Sequence, residues 1–159
     1  MTPRAVLLLF LACVPPVIFL ATHPQAPSSP AAGSTGSAVA FAGEFLAHLE
    51  PVQAAAADLG DLGERRERNL LVVGQRQSAM NAALTAMDTW LDQQPAHHDD
   101  AAVAAYRAGA IDIRQAMADA QSAFLHLDWD GIAAANVTLR KGATNLANAE
   151  HLAAEASVP

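Results

Sequence analysis

From Ala38 to the end of the chain, apolar residues recur at alternating steps of three and four, the spacing that lines up one side of an α-helix. The first such stretch, about 38–59, aligns Phe41, Phe45, Leu49, Val52, Ala56 and Leu59. Pro51 falls inside it and is expected to kink the helix or mark a restart. Gly60 and Gly63 form the break that follows. The second stretch, about 62–93, carries Leu62, Leu70, Val73, Met80, Leu84, Met87 and Leu91. Gly74 weakens it, and Gln93-Gln94-Pro95 stops it. The third, about 99–127, places Val103, Tyr106, Ala110, Ile113, Met117, Ala120, Phe124 and Leu127 in register, with Asp99 or Asp100 as its cap. The fourth, about 130–155, repeats every seven residues through Ile132, Leu139, Leu146 and Ala153, with Asp128 or Asp130 as its cap. Ala135, Gly142 and Ala149 lie between these positions, and such small residues let a neighbouring helix come close.

Four long amphipathic helices with short connections predict an all-α fold, an antiparallel up-down four-helix bundle over residues 38–157. The ends near 38, 95 and 156 then lie together, and the turns near 61 and 129 lie opposite. A tetratricopeptide hairpin is the alternative for the last two helices, but they are about twice too long and no 34-residue repeat is visible.

Ahead of the helices the pattern changes. Residues 5–22, AVLLLFLACVPPVIFLAT, are uncharged and follow Arg4. At about 1.5 Å per residue they reach about 27 Å as a helix, the lower edge of a membrane span. Segment 1–22 therefore reads as a signal-anchor or a cleaved signal peptide, with a lipoprotein leader built on Cys13 as a third reading. No base follows Arg4 until Arg65, so the positive-inside rule puts the later domain outside the cytoplasm, on the cell membrane or secreted. Residues 23–37 are rich in Pro, Ser, Gly and Ala and read as a flexible linker.

Composition supports the helical reading: 52% of residues are apolar but only 5% aromatic, and alanine is abundant. The net charge of −7 provides no basic footprint for nucleic acid or an anionic lipid surface. Cys13 is the sole cysteine, which rules out an intrachain disulfide and cysteine-based zinc or haem attachment.

Candidate chemistry is sparse. His97-His98-Asp99-Asp100 gathers ligand-type residues in one loop, and His48 and His151 could approach the same end of the bundle, but adjacent cap residues do not easily face one ion; the reading is a solvated acidic cap with two exposed imidazoles, and His97, His98 and His151 are the alternative metal set. His126 to Gly131 imitates the start of a calcium loop, but the twelfth position is Val137 rather than glutamate, which leaves Asp128 and Asp130 as helix caps and Trp129 as a plug for the bundle's end. A haem held between a core methionine and His151 is a further option, although methionines at helical spacing usually fill gaps. Asn136-Val137-Thr138 forms a sequon inside a helix. There is no G-x-S-x-G, H-E-x-x-H or phosphate-binding glycine loop. The expectation is a non-catalytic bundle without a cofactor, tethered through residues 5–22 if the leader is uncleaved, which binds a protein partner. The alternative is an extracytoplasmic carrier of a ligand, metal or haem.

Overall fold

The computed structural model describes residues 34–158 apart from 66 and 68. The expected leader, Cys13 and most of the linker lie outside the described residues. Those described are helical throughout, without a strand: α1 (Ser34–Glu64), α2 (Leu70–Asp92), a short 3-10 turn (Pro95–His97), α3 (Ala101–Leu125) and α4 (Trp129–Ala156). None of these helices is long and apolar enough to cross a membrane.

The boundaries differ from the sequence expectation in an instructive way. Helix α1 starts at Ser34, four residues before Ala38, and continues through Pro51, Gly60 and Gly63. Pro51 is exposed, so the hydrogen bond that its missing N–H removes lies on the solvent side. The break falls later, at 65–69. There Asn69 caps α2, its side chain accepting the Leu71 N–H at 3.1 Å. Asp128 caps α4 by accepting the Gly131 N–H at 2.9 Å. Asp100 occupies the cap position of α3 without a capping bond; its carboxylate accepts instead from His97 Nδ1 at 2.8 Å.

Helix α1 packs against α2 and α4, and α3 packs most closely on α4. One core joins all four helices, with Phe45, Leu49, Val52, Met80, Leu84, Met87, Val103, Ile113 and Leu146 essentially inaccessible to solvent. Each such side chain contributes roughly 1.5–3 kcal/mol through burial. The α3–α4 contact is tight because Gly109 faces Gly142. A Cβ on Gly109 would lie 2.9 Å from the Gly142 carbonyl oxygen, and one on Gly142 would lie 2.7 Å from Ile113 Cγ1. The sevenfold repeat of α4 thus places its small residue where two backbones touch. Lys141 and Asn145 of α4 close the same seam by donating to Asp112 of α3, both at 3.0 Å.

Candidate functional site

The core stripe does not close along its whole length. Of the residues expected to be buried, Leu62, Val73, Met117, Ala120, Phe124 and Ile132 remain partly open, and Leu70 is 63% exposed. All seven line one groove of about 860 Å3, walled by the end of α1, the first turns of α2, the end of α3 and the start of α4. Every other expected core position is buried except Leu127, which lies in the α3–α4 turn beside the groove and is 69% exposed. The periodic pattern is therefore continuous, while the packing stops short of it.

Local structure explains the gap. Helix α2 is tied to α3 where Tyr106 donates to Asp88 Oδ1 at 2.8 Å and to the Leu84 carbonyl at 3.3 Å, and where Arg114 pairs with Asp88. Toward the start of α2 the facing residues are Val73, Gly74 and Gln77, which are short or polar, and the groove opens between them and α3. Against a fully buried core and the carboxylate of Asp88, the Tyr106 phenol is pushed far above its ordinary range. Burial is the main cause, followed by the hydrogen bond to Asp88 and its negative charge. On the groove floor Asn136 is turned in against Gly63, and its Oδ1 is buried without a hydrogen-bond partner. The nitrogen end of the expected sequon is thus packed inward.

The α3–α4 turn adds projecting apolar surface to the rim. Asp128 N–H donates to the Ala123 carbonyl at 2.9 Å and Leu127 N–H to Phe124 at 3.1 Å, the two bonds of a Schellman ending. Glycine is the usual residue at its left-handed position, yet here Leu127 holds φ 55°. Leu125 is 77% exposed and Trp129 53%. Trp129 therefore stands on the rim rather than plugging the end of the bundle.

The histidines occupy a different region. His97 stacks on Phe41 with centroids 3.7 Å apart and planes at 6°, and Phe41 in turn stacks on Trp90 at 5.4 Å. His48 also stacks on Trp90, with centroids 4.6 Å apart. His98 Nε2 donates to the Leu91 carbonyl at 3.0 Å, and the exposed His151 pairs with Glu155 at 3.3 Å. The three candidate ligands thus engage three separate partners, and among the described residues no three His, Cys, Asp or Glu side chains form a metal-holding group. Met80 and Met87 are core residues, whereas Met117 lines the groove.

Sequence reasoning missed the groove rim. Val137, which lines the groove and is exposed, was outside every periodic stripe, and its signal is that it adds an apolar residue to the solvent side of an otherwise regular pattern. No protein-family model matches this chain, and no curated protein or solved structure matches it either.

Proposed function

We propose that this chain is a non-catalytic interaction module, an extracytoplasmic helical bundle held on the membrane through residues 5–22 or released from it, which binds another protein through its open groove. The bundle is read as antiparallel and up-down. Paired positions that run in opposite senses support this: Gln53 with Glu150 and Gly63 with Asn136 between α1 and α4, and Phe41 with Trp90 and Asp58 with Arg76 between α1 and α2.

The observation that carries the functional reading is the stranded part of the core stripe. Seven residues spaced for burial are left uncovered in one place, and a groove among helix ends suits the apolar side chains of a partner. Its volume also lies within the roughly 300–1,000 Å3 of small-molecule sites, so an apolar ligand is the second reading.

A photo-reactive side chain separates these readings. Placed at Phe124 in the native host, it should give a discrete protein adduct, and at Ile111, exposed on α3 but outside the groove, it should not. Adducts of equal yield at both positions, or none with protein at Phe124, would sink the proposal. The mass of the extracted chain tests the tether. A full-length chain means an anchor, and a chain lacking its leader means a secreted form.

A further inference from the structure

Among the described helices, α2 and α3 are the only consecutive pair without extended packing. They meet where Asp88 ties to Tyr106 and Arg114, and beyond that tie the groove separates them. The tie fixes a register. On the antiparallel reading, equal steps away from Asp88 and Tyr106 keep residues of the two helices level. Steps of eleven, fourteen and eighteen residues are about three, four and five turns, so they return to the face that carries the tie. The residues at these steps are Gln77 with Met117, Gly74 with Ala120, and Leu70 with Phe124. All six line the groove, three from each wall.

This ladder is a helix–helix seam that the sequence spaces and the structure leaves unmade. Its middle rung pairs the two smallest residue types, and two small residues also make the close α3–α4 contact at Gly109 and Gly142. A glycine inside a helix lowers its stability unless close packing requires it. At Gly109 that requirement is met, whereas a Cβ on Gly74 meets nothing within 4 Å. We infer that the first turns of α2, Leu70 to Gln77, are a lid that swings about the Asp88 tie and closes on α3, with Gly74 against Ala120 and Leu70 against Phe124; as a gate on partner access, this rests on the reading of the groove as an interaction surface.

Physical chemistry permits both positions. The two walls belong to one chain, so closure takes apolar surface out of water without the loss of translational and rotational freedom that a separate occupant entails. A small apolar area then suffices. Against closure, Arg76 pairs with Asp58 and holds the same stretch of α2 toward α1. Both side chains are about half exposed, and ion pairs of that kind hold weakly. Open, the groove presents Met117 and Phe124 to a partner; closed, α2 covers them itself.

The test is a Gly74→Cys/Ala120→Cys pair in the full-length chain carrying Cys13→Ser, which removes the only native thiol. A disulfide needs its Cβ atoms about 3.8 Å apart. With nothing within 4 Å of a Cβ at Gly74, the open groove does not meet that need, so the bond reports closure. The expected result is a disulfide, located by peptide mass, that forms at least about tenfold faster than in a Gly74→Cys/Ile111→Cys control. Helical circular dichroism of the reduced chain should not change. Leu70→Cys/Phe124→Cys, on the rung farthest from the tie, decides the matter if the first pair loses helicity. A photo-reactive group at Phe124 in the first pair reads the gate: oxidation should abolish its protein adduct, and a thiol reductant should restore it. A disulfide that forms no faster than in the control, or not at all, overturns the lid and leaves the reading of the groove standing. A disulfide that leaves the adduct unchanged overturns the gate. No adduct before oxidation removes the interaction reading instead, and the disulfide alone then decides the motion.

Discussion

Two regions of this bundle are built from the same periodic pattern and end differently. Around Phe41 and Phe45 the stripe is sealed: Trp90, His97 and His48 stack outward from it, and the short turn at 95–97 brings His97 onto the ring of Phe41. Around Phe124 and Met117 the same kind of stripe meets no covering layer among the described residues. The difference does not lie in hydrophobicity. It lies in how the connections are made. The α2–α3 connection folds over the core, with His98 held to the Leu91 carbonyl and Arg107 donating to the His98 carbonyl at 3.3 Å. The α1–α2 connection begins α2 at a cap on Asn69, leaving Leu70 and Leu71 exposed. A helical repeat specifies a buried face, and the loops decide whether that face is covered.

Truncating one phenylalanine in each region tests this most severely. Phe45→Ala should cost roughly 3–5 kcal/mol, because the cavity is walled by core that cannot collapse. Phe124→Ala should cost only about 1 kcal/mol, since its ring is already partly in water. Urea unfolding of the two variants measures both. Equal losses would mean that the groove is closed in solution and that the contrast between the regions is false.

Two glycines sharpen the same contrast at smaller scale. Gly109→Ala pushes a methyl group into the Gly142 backbone, which cannot give way as a side chain could. It should destabilise by roughly 1–3 kcal/mol. A methyl group added at Gly74, in the groove wall, would meet nothing within 4 Å. Gly74→Ala should stabilise by up to about 1 kcal/mol through helix propensity alone. Thermal melts in parallel read the opposite signs, and a loss at Gly74 would show that something already fills the space.

The legible part of this protein was the helix faces. Phe41 to Leu59, Val103 to Ile113 and the sevenfold run of α4 from Leu139 onward were readable because burial follows the 3.6-residue period directly. What could not be read was where that period goes unsatisfied. Leu70 and Met117 carry the same signal as Leu84 and Ile113; only the position of the α1–α2 break separates them, and Gly60 and Gly63 suggest it too early. Gly63 has a packing role against Asn136 instead of a turn role. The histidines show the same limit: the sequence places His97 and His98 side by side, but only the fold shows His97 against an aromatic face, His98 at a carbonyl and His151 beside a neighbouring carboxylate.

The smallest effect concerns the tie at which the sealed and open regions meet. Tyr106→Phe removes the bonds to Asp88 and Leu84 while leaving the ring in place, and Asp88 keeps Arg114 as a partner. The loss should be about 1 kcal/mol near neutral pH. The pH dependence identifies its source. The folded phenol is held far above the unfolded value of about 10, so the unfolded chain gives up its proton first. Stability contributed by the protonated phenol is fully present below about pH 10 and falls as the pH rises beyond it. Wild type should therefore lose stability above about pH 10 more steeply than Tyr106→Phe, and the two unfolding curves should draw together. The groove supplies the second readout. If the tie holds α2 near α3, Tyr106→Phe should raise hydrogen exchange at Val73 to Gln77 more than at Leu91, since the sealed region has the aromatic stack to hold it and the open one does not. Uniform acceleration along α2 would instead make the tie a global contributor and detach it from the opening of the groove.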